Sequence, residues 1–320
     1  MRKRILITGG AGFIGSHLAE ALLKDGMSVS IIDNLSTGRW ENVEHLADHP
    51  RFTCAIADIR NENVLDRMVS ESDVLIHLAA AVGVKLIVEQ PVHTLETNIM
   101  GAEAALKAAR RYRCRMLMAS TSEVYGKGLR VPYSEQDDVV LGPTSKFRWA
   151  YAASKMVDEF LALAYHHQYG VPVTLVRLFN TVGPRQTGQY GMVVPRFVSQ
   201  ALRHEDITVY GDGKQTRSFC DVQDAVLALK QLIFHDGAVG QLFNVGATEE
   251  ITILDLAQRI KKLLKSRSRI VTVPYSEAYA PGFEDMLRRV PDIRRIQDLI
   301  GWRPRTNLDK IILRVAKSLK

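Results

Sequence analysis

The stretch Arg4-Ile5-Leu6-Ile7-Thr8-Gly9-Gly10-Ala11-Gly12-Phe13-Ile14-Gly15-Ser16-His17-Leu18 decides the fold class. A short apolar run ends in glycines at positions 9, 12 and 15, and an apolar helical pattern starts directly behind them. The spacing predicts a strand, turn and helix that cradle a pyrophosphate. Gly9 turns the chain sharply out of the strand, Gly12 lets the backbone approach the phosphates, and Gly15 lets helix pack on strand. Unpaired N–H groups at the positive end of the helix then face the phosphates. A glycine triplet alone also serves ordinary tight turns; its place between strand and helix favours the nucleotide reading. A second run, Val29-Ser30-Ile31-Ile32, ends in Asp33. That acid is expected on the adenosine ribose hydroxyls, and its charge repels a 2′-phosphate, so NAD is expected rather than NADP.

The rest of the chain suits such a unit. Its 320 residues are enough for one large α/β domain and a smaller one. No apolar run approaches the length of a membrane span, and the N-terminus enters the first strand with no room for a signal peptide, so a cytoplasmic protein is expected. Cys54, Cys114 and Cys220 are widely spaced and lie in or beside apolar runs, as reduced core thiols do. No metal-ligand spacing is visible. The net charge of +7 raises the question of nucleic acid. The basic residues are scattered over helical segments without interleaved aromatic platforms, which reads as solvated helix faces, with some charge available to an anionic small substrate.

Short β-branched runs alternate with helical stretches through the first 180 residues. Strands are expected at Arg4–Thr8, Ser28–Asp33, Phe52–Ala57, Val74–His77, Met116–Ala119 and Val173–Leu178, and helices near 14–25, 61–70, 92–112 and 151–169. This alternation predicts an α/β fold, a doubly wound Rossmann sheet of parallel strands covered on both faces. Beyond residue 180 glycines and prolines loosen the pattern, with helical segments at Asp221–His235 and Thr252–Leu264. The expected division is a nucleotide-binding domain of 1–180 plus about 212–245, and a smaller, discontinuous α/β substrate domain of about 181–211 plus 246–320. Asp58 follows the third strand on the adenine side, and Leu78-Ala79-Ala80 follows the fourth, where small residues let backbone pass close to a cofactor. Plain strand ends account for these two stretches equally well. The ligand crevice is expected at the carboxyl ends of the strands.

Tyr151-Ala152-Ala153-Ser154-Lys155 puts a tyrosine and a lysine four apart on one face of a helix. A lysine there, near an oxidised nicotinamide, lowers the phenol's pKa so that tyrosinate can take a proton from a sugar hydroxyl. The fifth strand ends in Ser120-Thr121-Ser122-Glu123, a hydroxyl and a carboxylate at the mouth of the crevice. Each pattern has a bland reading: four-apart pairs arise by chance, and Ser/Thr strand ends make local hydrogen bonds. Together with the glycine turn and Asp33, and in this order, they favour the functional reading.

With these motifs in place, the chain resembles over its whole length the extended short-chain dehydrogenase/reductase family, and within it the nucleotide-sugar epimerases, dehydratases and decarboxylases. The resemblance implies a retained NAD that oxidises C4 of a UDP-sugar, or other nucleotide-diphosphate sugar, to a ketone. It implies cofactor contacts from Gly9, Gly12, Phe13, Ile14, Gly15, Asp33, Asn34, Asp58, Ile59, Leu78, Ala79, Ala80, Asn98, Tyr151 and Lys155. Tyr151 is the implied base at the C4 hydroxyl, Lys155 the group that lowers its pKa and holds the ribose, and Thr121 or Ser122 the hydroxyl relay. Phe179-Asn180-Thr181-Val182-Gly183-Pro184-Arg185, Val209-Tyr210-Gly211 and Gln215-Thr216-Arg217 resemble substrate-side segments, so Asn180, Arg185, Val194, Tyr210 and Arg217 are expected on the sugar nucleotide. Such enzymes commonly form homodimers through helices that correspond to 92–112 and 151–169.

The branch turns on fewer residues. Simple 4-epimerases need no carboxylate beside the hydroxyl; Glu123 suits proton movement at C5 or a carboxyl-bearing substrate, and its local string is similar to both UDP-glucuronate decarboxylases and 4,6-dehydratases. Gly142-Pro143, Arg148-Trp149-Ala150-Tyr151, Tyr279 through Asp285, Arg288-Arg289-Val290-Pro291-Asp292-Ile293 and Gly301-Trp302-Arg303-Pro304 resemble the decarboxylases. In those relatives an arginine at the place of Arg289 serves the loss of the carboxylate, and Arg288 stands beside it on the substrate side. The loop Ala80-Ala81-Val82-Gly83-Val84-Lys85 is instead nearer to epimerase and dehydratase loops, and Met192 and Val193 stand where a xylose synthase presents more polar groups. The leading expectation is a UDP-glucuronate decarboxylase, with Glu123 and Arg289 completing the chemistry at C5. The alternatives are a UDP-sugar 4-epimerase, a 4,6-dehydratase and, from another class, a non-catalytic NAD-binding sensor, which would have no need of the Tyr151/Lys155 pair.

Overall fold

The first strand, β1 (Arg4–Thr8), becomes the centre of a sheet because both of its faces are apolar. Ile5 and Ile7 point to one side and Leu6 to the other, the period of two that any strand imposes. A computed structural model describes residues 3–83, 87, 89–188, 192–278 and 286–320. Around β1 it assembles β2 (Ser28–Asp33), β3 (Phe52–Ile56), β4 (Val74–His77), β5 (Arg115–Thr121), β6 (Val173–Leu178) and β11 (Leu242–Val245). Their order is β3-β2-β1-β4-β5-β6-β11, and every pairing is parallel. The strand order reverses next to β1, at the switch point where such sheets open a crevice.

Helices cover both faces, as parallel sheets require. On one side α1 (Phe13–Lys24) and α6 (Val222–Phe234) bury Leu18, Leu22, Leu229 and Leu232 against Ile5, Ile7 and Ile31. On the other, α2 (Glu62–Ser70), α3 (Pro91–Tyr112) and α4 (Ala150–Tyr169) cover Leu6, Leu75, Met116 and Met118. A separate core joins α5 (Val193–Leu202), α7 (Ile253–Leu263) and α9 (Leu308–Ser318) to β8 (Ile207–Tyr210) through Phe197, Leu256, Ile260 and Ile312. The small pairs β7 (Thr181–Val182) with β10 (Cys220–Asp221), β9 (Thr216–Ser218) with β12 (Glu250–Thr252), and β8 with β13 (Ile270–Val273) complete the strands.

One segment of the tail departs from the expected division. Ile293, Ile296 and Trp302, around α8 (Arg294–Ile300), pack into the core shared by α1 and α6, and Trp302 Nε1 donates to the Asp224 carbonyl at 3.0 Å. The stretch that carries Arg289 is therefore fastened to the nucleotide-side layer. Tyr133 N donates to Val290 O and Asp292 N to Tyr133 O, both at 2.8 Å, and the buried Asn244 amide of β11 donates to the Tyr133 and Asp292 carbonyls.

The glycine turn is as tight as its sequence predicts. Gly9 has φ +69°, and a Cβ there would lie 2.8 Å from Ala79 N. A Cβ on Gly15 would lie 2.2 Å from the Gly9 carbonyl oxygen, so α1 starts in contact with the turn that precedes it. Among the described residues no helix is long and apolar enough to cross a membrane, and no cluster of three or more His, Cys, Asp and Glu is placed to hold a metal. Gly15→Ala is expected to cost about 1–3 kcal/mol through overpacking, read as a lowered midpoint in denaturant unfolding with an unchanged slope.

Candidate active site

The carboxyl ends of β1, β2, β4, β5 and β6 open into a cleft of about 1010 Å³ whose far wall is built from α5, β8 and the Arg289 segment. Two helices point uncapped N-termini into it. Gly12 precedes α1 and Met192 precedes α5; neither caps its helix with a side chain, and neither first turn holds an acid. Their N–H groups and dipoles are available to two separate anionic groups.

At the α1 end, Gly9, Gly12, Phe13, Ile14 and Gly15 line the cleft, with Asp33, Asn34, Asp58, Ile59, Leu78, Ala79 and Ala80. Asp33 also braces the turn: Oδ2 accepts from Ala11 N at 3.0 Å and Oδ1 from Leu35 N at 2.9 Å. Burial pushes its carboxyl up, and these backbone N–H groups pull it back. Asn34 donates to Asp58 at 3.2 Å, and the Arg60 guanidinium holds Asp58 down to about 2. Ser36, Thr37, Arg39 and Asn42 complete this end; they come from an irregular connection with no periodic pattern to mark them. Asn98 is placed otherwise than expected. It lies buried behind the cleft, where Oδ1 accepts from Ala81 N at 2.8 Å and Nδ2 donates to Ser154 Oγ at 3.0 Å. It anchors the loop after β4 to α4. Of that loop, Val84 and Lys85 lie outside the described residues, as do Tyr279 through Asp285.

Tyr151, Lys155, Thr121, Ser122, Glu123 and Arg289 converge at the middle of the cleft. A side-chain hydrogen bond links Tyr151 to Thr121, so Thr121 is the hydroxyl coupled to the phenol. Thr121 Oγ1 also accepts from Glu123 N at 3.2 Å, which shapes the turn that delivers Glu123. The phenol has its own electrostatic surroundings in the protein. Burial, and next the Glu123 carboxylate, push it above the usual tyrosine range, while Lys155 Nζ donates to the buried Asp158 Oδ2 at 2.8 Å. One turn beyond, Glu159 is buried and paired with Arg177 at 2.7 Å.

Glu123 lies between two guanidiniums. Arg148 pairs with Oε2 and Arg289 with Oε1, with side-chain exposures of 14% for Glu123, 4% for Arg148 and 12% for Arg289. Burial alone would raise this carboxyl; the two arginines bring it down to about 2. The triad therefore carries one net positive charge in a poorly solvated place. Arg148 appears in the sequence only within the string Arg148-Trp149-Ala150-Tyr151, with no role attached to it. It sits in the 3₁₀ turn Phe147–Trp149 just before α4, and only the folded turn aims it at Glu123.

The substrate-side residues are partly redistributed. Asn180 lines the cleft, accepts from Arg289 and donates to Ser218 O at 2.9 Å. Val194 lies in the first turn of α5, on the cleft wall. Tyr210 lines it with the Arg196 guanidinium 3.9 Å over its ring. Arg217 reaches the cleft while donating to the Thr216 and Met286 carbonyls at 2.7 and 2.8 Å. Arg185, expected on the sugar nucleotide, lines the cleft and also meets Ser16 and Glu20 of α1 beside the glycine cradle. Arg288 makes an exposed pair with Glu250 at 2.7 and 2.8 Å and is not among the residues that line the cleft.

Known proteins are similar to this chain over nearly its whole length. The chain is 44% identical over 312 residues to UDP-N-acetyl-alpha-D-glucosaminuronate decarboxylase of Bacillus cytotoxicus, covering 97% of this chain and 95% of that one. It is 41% identical over 309 residues to UDP-glucuronic acid decarboxylase 1 of Danio rerio, covering 97% and 71%. The structure of UDP-glucuronic acid 4-epimerase from Bacillus cereus, in complex with UDP-glucuronic acid and NAD, superposes with a TM-score of 0.88 at 28% identity, covering 99% of this chain and 98% of that one. A family described as GDP-mannose 4,6 dehydratase matches residues 6–315. The chain belongs to that family, among the extended short-chain dehydrogenases/reductases.

Proposed function

We propose that this protein is an NAD-dependent decarboxylase of a UDP-linked uronic acid, working through a 4-keto intermediate. The observation that carries the reading is the Arg148–Glu123–Arg289 triad, whose net positive charge beside Tyr151 suits a substrate carboxylate better than a neutral hydroxymethyl group. The names of the two relatives, both uronate decarboxylases, support it.

The cradle fits NAD: an uncapped α1 with no acid in its first turn suits a diphosphate, and Asp33 at the end of β2 suits ribose hydroxyls. When bound, NAD supplies a hydride acceptor at C4 and later returns the hydride. The chain's residues do the rest. Tyr151 takes the C4 hydroxyl proton, with Thr121 steadying its oxygen. The uncapped N-terminus of α5 and Arg217 hold the sugar-nucleotide diphosphate, and Tyr210 lies along the base. The triad holds the C5 carboxylate beside the new ketone, into which the electrons of the breaking C–C bond can move. Arg289 and Glu123 then steer a proton to C5, and Tyr151 returns its proton as the ketone is reduced.

The test is incubation of NAD-loaded protein with UDP-glucuronate, UDP-N-acetylglucosaminuronate and UDP-glucose in parallel, followed by mass spectrometry and proton NMR. Loss of CO₂ from a uronate is expected. An unchanged mass with a changed C4 configuration identifies an epimerase instead, and loss of water a dehydratase. Arg289→Ala is expected to slow CO₂ loss by about 10²-fold or more while C4 oxidation continues, so reduced nicotinamide accumulates in single-turnover absorbance traces.

Glu123 also gives a signed pH prediction. Its folded pKa of about 2 lies below the ordinary 4.5, so its contribution to stability is complete above about pH 4.5 and is lost as pH falls towards 2. Glu123→Gln, which strands two buried guanidiniums, is expected to cost about 3 kcal/mol at neutral pH. The gap from wild type closes across that acid window in pH-dependent urea unfolding.

We also propose a homodimer. The outer face of the packed pair α3 and α4 exposes Met100, Phe160, Leu163 and Tyr169, with Phe160 at 66%. A second copy burying this apolar face removes it from water. Light scattering is expected to give a dimer for the wild type and a monomer for Phe160→Asp.

A further inference from the structure

The helix that carries the catalytic pair holds a charge its chemistry does not call for. Tyr151, Lys155 and Asp158 lie at four- and three-residue spacing, hence along one face of α4. Lys155 thus stands between Tyr151, one turn before it, and Asp158, one turn after. Asp158 is fully buried, Lys155 is 2% exposed, and Nζ donates to Asp158 Oδ2 at 2.8 Å. The other oxygen, Oδ1, is buried and has no hydrogen-bond partner among the described residues. A half-satisfied carboxylate in a packed interior is costly, and an apolar residue of the same size would pack there without that cost.

The surrounding charges leave Asp158 one role. Glu159, its neighbour, is paired with Arg177 and bonded to Ser120. His77, which also faces Lys155, is buried with Nδ1 against Thr8 Oγ1 at 2.8 Å, and burial keeps it neutral. Glu123 and Arg289 face Tyr151 from the other side and pair with each other. Among the described residues Asp158 alone pairs with the Lys155 ammonium.

We infer that Asp158 is a positioning residue for the catalytic pair: it holds the Lys155 ammonium, shares its charge, and so sets how readily Tyr151 gives up its proton. Without it the lysine's field falls more fully on the phenol. The direction of the effect follows from the charges: Asp158 makes the tyrosinate harder to form and shifts the base-dependent half-reaction to higher pH. The inference rests on the reading of Tyr151 as the base at the C4 hydroxyl.

Asp158→Asn keeps an acceptor for the ammonium and removes the charge. Its phenol is titrated directly by tyrosinate difference absorbance, with and without NAD, taking Tyr151→Phe as the blank, and the pH profile of kcat/KM is measured with UDP-glucuronate. The expected result is a lower midpoint for Tyr151 and an acid limb moved to lower pH, raising kcat/KM at the acid end about three- to tenfold with little change on the plateau. If the amide is not accommodated in the interior, as judged by thermal unfolding, Asp158→Ser removes the same charge with less volume and is read the same way. An unmoved phenol midpoint in a folded variant overturns the inference. A moved midpoint with an unmoved kcat/KM limb supports it and overturns instead the assignment of Tyr151 as the base.

Discussion

The structure depends on how closely α1 approaches the end of β1. Contact at Gly9 and Gly15 leaves no room for a side chain, so the helix begins directly above the strand and its first N–H groups open over the sheet edge. That placement fixes where a dinucleotide can lie, and the parallel pairing turns the carboxyl ends of β1, β4, β5 and β6 to the same edge, with Thr8 level with His77 and Thr121 level with Leu178. Thr121, with Glu123 in the turn directly behind it, is hung from those strand ends, while Tyr151 and Lys155 come from α4 and Arg289 from the tail. The fold thus positions cofactor and catalytic groups with rigid elements, and leaves the sugar-nucleotide wall to shorter segments from α5, β8 and the tail.

Electrostatically the cleft has three parts. The α1 end has Asp33 and Asp58, each satisfied by backbone or Arg60. The middle has the Tyr151 phenol, pressed upward by burial and Glu123, and a lysine shared with Asp158. The far side has a carboxylate outnumbered by guanidiniums. Such sites separate the tasks of neighbouring groups by giving each a different environment.

Much of this was legible in the residues themselves. The glycine spacing, Asp33, and the Tyr151/Lys155 pair are local patterns, and local geometry carries them into the fold unchanged. The residues that sequence reasoning missed or misplaced depend on contacts far along the chain. Arg148 acts because a 3₁₀ turn aims it at a residue 25 positions earlier. Arg185, while lining the cleft, is also tied to Glu20 of α1, 165 positions earlier. Arg288 and Arg289 are adjacent, yet their side chains diverge, one to Glu250 and the other to Glu123. Asn98 looked like a cofactor contact and is a brace, since its amide is used up by a loop backbone and Ser154.

The fastening of the Arg289 segment has one more consequence. Val290 and Asp292 are stitched to Tyr133, and Asn244 ties both strands of that stitch to the edge of the main sheet. Arg289 therefore reaches Glu123 from the same rigid body that holds Tyr151, although it lies near the end of the chain. In the proposed reaction, the field that would meet a substrate carboxylate is then built when the protein folds, and the substrate need not recruit it. A site assembled in this way gives up adaptability for readiness: its preference for an anion is a property of the resting protein, present between turnovers as well as during them.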